Sequence, residues 1–179
     1  MRRIFIEQLA MYAAFHRDRR NQLTHHIGVP VIVFSLLVLS GRVILFQVGG
    51  MSVTLASLLL IALLIFYIGA APLIGYIAAI LYGVLLVLAQ GVAAMGWDTA
   101  FAVFLACFIG GWALQLLGHV FEGRKPALVH NLAQIFFAPA FLIAEPLFAI
   151  GAERELKHAI EARQGAYLDR GRGEEGGER

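Results

Sequence analysis

Two short segments of this chain carry side chains able to hold a metal ion. In the first, His16, His25 and His26 bracket the run Arg17-Asp18-Arg19-Arg20-Asn21-Gln22-Leu23-Thr24. In the second, Gly118-His119-Val120-Phe121-Glu122-Gly123-Arg124-Lys125-Pro126 sets an imidazole and a carboxylate three residues apart. Neutral imidazole nitrogen and carboxylate oxygen are the usual ligands of non-haem iron, whose open positions admit oxygen and substrate. His119 and Glu122, at i and i+3, share a face if a helix continues through them, and such a pair could bind one metal. His16 and His25 cannot share a metal on a straight helix, where they fall on nearly opposite faces about 13.5 Å apart along the axis. The chain must therefore turn through Arg17–Arg20, with Asn21 as the N-cap of a new helix. His26 points about 100° away from His25 on a helix, His130 is a second-choice ligand, and His158 sits in a charged stretch as a solvent-facing residue.

The elements that position these residues are set by composition. The chain has 179 residues, of which 60% are hydrophobic and 15% charged, with a mean hydropathy of +0.78. That is too apolar for a soluble domain of this size. The expected fold is all-α, an integral membrane bundle with four transmembrane helices at roughly 27–47, 51–70, 73–95 and 98–117. Each is near the ~20 residues needed to cross a hydrocarbon core of ~30 Å, and lipid leaves helices as the spanning form for such runs. Pro72 begins the third span after a tight, uncharged hairpin, and Gly75, Gly83 and Gly91 recur along it as sites for close helix approach. Residues 3–15 read as a helix on the membrane surface, with Ile4, Phe5, Leu9 and Tyr12 toward lipid.

Beyond the fourth span, residues 131–150 are apolar but interrupted by Pro139, Glu145 and Pro146. A re-entrant or interfacial helical segment is expected there, since a fifth crossing would export Arg154, Lys157 and Arg163. Residues 1–168 form a single membrane domain in this reading, followed by a disordered tail at 169–179. Arginines 2, 3, 17, 19 and 20 precede the first span, and Arg124 and Lys125 follow the fourth, whereas the loops near 48–52 and 92–98 hold no Lys or Arg. Positive loops stay cytoplasmic, so the N-terminus and both histidine segments belong on the cytoplasmic face, with a bacterial inner membrane the expected location. Arg42, late in the first span, would snorkel to the opposite interface. No cleavable signal peptide is read at the N-terminus. The single cysteine, Cys107, makes neither an internal disulfide nor a thiolate site. No nucleic-acid partner is expected, and the oligomeric state is left open.

The order His16, Asn21, His25, Gly28, Pro30, then Gly118-His119, Glu122 and Arg124-Lys125-Pro126-Ala127-Leu128, resembles a small membrane family whose characterised fungal member is an endoplasmic-reticulum 2-hydroxy fatty acid dioxygenase. The resemblance runs over most of residues 10–150. It implies Fe(II) as cofactor and molecular oxygen as co-substrate in an α-oxidation that shortens a 2-hydroxy fatty acid by one carbon. It also implies metal ligation by His16, His25 and His119, with Glu122 as a further site residue; His26 and His130 lie outside the family's histidine set. Asn21 joins Glu122 as a catalytic-site candidate, and Arg20 and Arg124 as candidates for the substrate carboxylate. The competing readings are a non-enzymatic lipid-binding or assembly protein, which would hold no metal, and a transporter. The transporter is disfavoured because only Arg42 and Asp98 are ionisable within or bordering the four spans.

Overall fold

The computed structural model describes residues 1–123 and 131–173, with side chains described through residue 168. Among these lie seven helices and one two-stranded hairpin: α1 (Arg2–Phe15), α2 (Arg19–Gly41), β1 (Ile44–Val48), β2 (Met51–Thr54), α3 (Leu55–Ala70), α4 (Pro72–Ala94), α5 (Trp97–Glu122), α6 (Gln134–Ala149) and α7 (Arg154–Gly173). The fold is all-α apart from the hairpin. Helices α2, α4 and α5 are long and apolar enough to cross a membrane, α3 is apolar but shorter, and α6 and α7 form a pair bent by 114°. The chain divides into two compact units, one of residues 27–115 and one of residues 1–26 with 116–179.

In the first of these units the expected boundaries of the first two spans move. Helix α2 stops at Gly41, and residues 44–54 form an antiparallel hairpin rather than the end of one span and the start of the next. Ile44, Phe46, Val48 and Val53 favour extended backbone, and Gly49-Gly50, both at positive φ, make the turn between Val48 and Met51. Apolar residues continue from α2 up to the Gly49-Gly50 loop, and hydropathy alone cannot tell a short apolar strand from a helix. Arg42, expected to reach the opposite interface, has specific partners. Its guanidinium donates to the Ala93 carbonyl at 2.6 Å, in the last turn of α4, and lies over the Trp97 ring, as cations do at helix C-termini. Thr54 caps α3 by accepting the Ser57 N–H.

Close approach in this unit depends on particular glycines. A Cβ on Gly75 would collide with the Ile68 backbone, so the α3–α4 hairpin closes only with glycine there; Gly83 and Gly91 face open space and have no such task. A Cβ on Gly28 would lie 3.1 Å from the Gly111 carbonyl, and one on Gly111 would collide with the Ile32 side chain, so α2 and α5 meet through this pair. Ile65, Ile80 and Val87 are largely exposed, as expected of helix faces solvated by acyl chains.

In the other unit, α1 does not lie with its apolar residues toward lipid. Phe5 and Leu9 are fully buried and Tyr12 nearly so, leaving only Ile4 of the predicted lipid-facing set exposed. Helix α1 packs against α6 and α7, and its polar residues find partners on both. The Gln8 side-chain carbonyl accepts from Asn131 at 2.8 Å and from Gln134 at 2.6 Å. Glu7 accepts from Arg163 at 2.8 Å and from the Tyr167 hydroxyl at 3.1 Å. Burial of a side chain like Phe5 or Leu9 contributes about 1.5–3 kcal/mol, more than an exposed ion pair supplies. The C-terminal helices therefore hold α1 chiefly by apolar contact. Helix α6 runs through Pro139 and Pro146 without a break. Helix α7 continues to Gly173, past residue 169 where the tail was expected to begin; residues 174–179, like Arg124 and His130, lie outside the described residues.

The glycine contrast is directly testable. Gly75→Val should lower unfolding free energy by about 1–3 kcal/mol through overpacking, whereas Gly83→Val should change it by less than about 0.5 kcal/mol. Denaturant titration of the two variants in detergent micelles measures the difference.

Candidate metal centre

Helix α1 ends at His16, whose backbone leaves the helical region. Its Nδ1–H donates to the Tyr12 carbonyl one turn back, at 2.7 Å. The Tyr12 ring stacks on the imidazole at 3.8 Å between centroids, nearly parallel. With Nδ1 committed to the backbone, the Nε2 lone pair is the one available to a metal. Burial, reinforced by the neighbouring His25 imidazole, holds the His16 pKa well below its ordinary value. The ring is thus neutral, as a ligand must be.

The turn after His16 is shorter than the sequence reading expects, because α2 resumes at Arg19. The residue in the capping position is Asp18, not Asn21: Asp18 Oδ1 accepts the Arg20 N–H at 2.8 Å. The Arg20 guanidinium forks onto the same carboxylate at 3.1 and 2.8 Å. These bonds hold the Asp18 pKa down to about 2. Asn21 is wholly buried inside the first turn, and its backbone carbonyl accepts the His25 Nδ1–H at 2.9 Å. His25 therefore repeats the His16 device, an imidazole pinned to the carbonyl four residues earlier.

Helix α5 delivers His119 from the other segment. The three imidazoles are all buried, with ring centroids 4.6 Å apart for His16–His25, 5.1 Å for His16–His119 and 5.0 Å for His25–His119. One nitrogen from each lies within 4.8 Å of the others. His119 Nδ1 is buried and has no hydrogen-bond partner among the described residues. Three neutral imidazoles, two with oriented Nε2 lone pairs and one with an unsatisfied buried nitrogen, suit a divalent first-row transition metal.

The remaining predicted residues fall beside this cluster. Glu122 is not one of the grouped ligand atoms. Its carboxylate accepts the backbone N–H of Arg17 at 3.0 Å and of Asp18 at 2.8 Å, together with Asn21 Nδ2 at 3.0 Å. Arg20 is exposed, occupied by Asp18, and lies over the Phe121 ring. His26 points elsewhere: its Nδ1–H donates to the Gln22 carbonyl, and its Nε2 is 3.8 Å from Glu145. His158 is exposed beside Glu161. Tyr12 was missed as a site residue, although its i, i+4 spacing to His16 was the signal for it. A cleft of about 480 Å³ is lined in part by Leu23, His26, Phe141, Glu145, Phe148 and Lys157. It adjoins the cluster through Phe141, whose ring meets Tyr12 at 4.8 Å, and through Gln22, whose amide donates to the His16 carbonyl.

This arrangement defines a class: a helical protein of membrane-type composition in which three converging, buried imidazoles could hold a metal ion. The family model described as 2-hydroxy-palmitic acid dioxygenase Mpo1-like matches residues 3–150. The chain is 36% identical over 156 residues to the 2-hydroxy-palmitic acid dioxygenase MPO1 of Saccharomyces cerevisiae, an alignment covering 86% of each chain. No solved structure matches. The chain belongs to the Mpo1-like family, a family of enzymes, and the matched residues include both histidine segments and α6 but stop before α7.

The low pKa of His16 fixes a pH response for the metal-free protein. In the unfolded chain a histidine takes up its proton near pH 6.5, while buried His16 does not, so the unfolded state binds more protons below that pH and stability falls as pH drops. The unfolding midpoint of metal-free protein should therefore decrease from pH 7.5 to pH 5, and His16→Phe should flatten that slope.

Proposed function

We propose that this enzyme is a membrane-bound, Fe(II)-dependent dioxygenase that converts 2-hydroxy fatty acids to acids one carbon shorter. The observation that carries the reading is the convergence of His16, His25 and His119 in a chain of this family. Iron, when bound, supplies the redox chemistry that lets molecular oxygen react with a closed-shell substrate. The reaction balances as 2-hydroxy acid and oxygen giving the shorter acid, carbon dioxide and water. The C1–C2 bond breaks, C2 becomes the new carboxyl carbon, and oxygen is the species reduced.

The protein's own part is to hold and to exclude. The Tyr12 and Asn21 carbonyls fix two imidazoles with Nε2 free for the metal, and burial of all three limits access of water. Arg20 and Arg124 are assigned to the substrate carboxylate, which would replace Asp18 on the Arg20 fork. The acyl chain is assigned to the cleft beside Phe141, whose volume lies in the range of about 300–1,000 Å³ usual for small-molecule sites. Asn21 and Glu122 complete the site as a hydrogen-bonded pair.

The topology we favour has four crossings, with the site and the N-terminus on the cytoplasmic face of a bacterial inner membrane. Parity supports the count. His25 stands near the start of α2 and His119 near the end of α5, and their rings are 5.0 Å apart. Crossings by α2, α4 and α5 alone would put the two histidines on opposite faces, which favours a crossing by α3 as well. At 16 residues it spans about 24 Å, a mismatch that local bilayer thinning accommodates. The bent pair α6–α7 then returns to the same face as a re-entrant or interfacial segment.

The test is mass spectrometric. Protein purified in detergent and loaded anaerobically with Fe(II) is given 2-hydroxypalmitic acid and air, beside a His119→Ala control. The wild type should yield the 15-carbon acid and the variant at most about 1% as much, since loss of a ligand removes the metal. A wild type that retains iron without forming this product would refute the substrate assignment, and one that retains no iron would refute the metal centre. Leu23→Glu, which places a charge in the cleft, should raise KM for the long-chain acid about tenfold or more with kcat little changed.

A further inference from the structure

Among the described residues, the Glu122 carboxylate joins three separate pieces of the histidine cluster. It accepts the Arg17 N–H at 3.0 Å and the Asp18 N–H at 2.8 Å, the two amides that directly follow His16. It accepts Asn21 Nδ2 at 3.0 Å, and Asn21 is the residue whose carbonyl holds His25 Nδ1. It also stands one turn after His119 on α5. One carboxylate thus ties the segment carrying His16, the segment carrying His25 and the helix carrying His119, without belonging to the group of ligand atoms itself.

Gly118 makes this reach possible. A Cβ there would collide with Thr24 Oγ1 and Asn21 Oδ1 and would lie 3.1 Å from His25 Nδ1. Only glycine lets α5 come close enough to α2 for Glu122 to bond the turn. The sequence Gly118-His119-Val120-Phe121-Glu122 accordingly supplies an approach, a ligand and a clamp in little more than one helical turn.

We infer that Glu122 is a positioning residue that assembles the three imidazoles before a metal arrives, acting through the Arg17 and Asp18 amides and through Asn21. The inference rests on the reading of the cluster as a metal site. Its consequence is that the metal meets a preformed set of ligands and does not have to order the turn between α1 and α2. Loss of an outer partner of this kind typically costs 10–100-fold in metal affinity.

The experiment uses the full chain in detergent, with Co(II) as a spectroscopic probe, and compares the wild type with Glu122→Gln, Asn21→Ala and His119→Ala. Glu122→Gln keeps size and one acceptor oxygen but removes the charge. In metal-free protein it should speed amide hydrogen exchange at Arg17 and Asp18 at least tenfold. It should weaken Co(II) binding 10–100-fold and leave the ligand-field spectrum at saturation like that of the wild type. Asn21→Ala should weaken Co(II) binding in the same direction with the same unchanged spectrum, and it serves as the test should Glu122→Gln fail to fold. A saturated Glu122→Gln spectrum altered as in His119→Ala would make Glu122 a ligand and overturn the inference. Unchanged exchange at Arg17 and Asp18, or unchanged Co(II) affinity in both variants, would overturn it too. None of these readouts needs turnover, so failure of the substrate assignment leaves them interpretable.

Discussion

A histidine taken out of water has two ring nitrogens to satisfy, and this constraint organises the site. His16, His25 and His119 are all buried, and burying a polar group without a partner costs roughly 1–3 kcal/mol by protein measurements. His16 and His25 each meet half of the demand by donating Nδ1–H to the carbonyl four residues earlier. The other nitrogen of each belongs to a ring cluster whose centroids are 4.6 to 5.1 Å apart. His119 Nδ1 is buried without a partner among the described residues, and burial opposes protonation of His16. A metal held by the three together would satisfy that nitrogen of His119, and their convergence supports a ligand set more strongly than any single histidine does.

The same constraint explains why α1 is an interior helix. To place His16 in the cluster, α1 must end there with Tyr12 stacked on the ring, and Tyr12 is itself fixed against Phe141 of α6. Phe5 and Leu9 continue that buried face toward the N-terminus, while Glu7 and Gln8 bond to α7 and to the start of α6. A helix free on a membrane surface could not hold an imidazole to the tolerance a ligand requires. Packing from two sides can.

What was legible in the sequence followed from chemistry that needs no tertiary information. Imidazoles identify themselves, a nine-residue separation demands a turn, and long apolar runs identify α2, α4 and α5. What was not legible depended on contacts. Val43–Phe46 continues the hydropathy of α2, and only the Gly49-Gly50 turn and the Arg42 bond to Ala93 reveal that the helix has stopped. Asn21 looked like a cap because its side chain is the right kind, but Asp18 reaches the Arg20 N–H first and Asn21 is spent on Phe15 and Glu122. Glu122 looked like a ligand for the same reason. A carboxylate at i+3 from a histidine can serve a metal or serve backbone amides, and its sequence does not tell which.

The signature of this site is sparse, and the way it is held accounts for that. Orienting an imidazole through the carbonyl four residues back requires only that the histidine be near or in a helix, so the orienting group is backbone and leaves no trace in residue type. Two of the three imidazoles are held this way. The side chains that must be specific are then few: Asn21, buried with no room for a larger group; Gly118, where any Cβ collides with Asn21 and Thr24; and Glu122, whose two oxygens serve three donors. Tyr12 adds a flat ring against His16, a task that other aromatic residues could share. No one of these residues is diagnostic alone. Their order and spacing are, because moving any of them by one position rotates it about 100° around its helix and breaks the set.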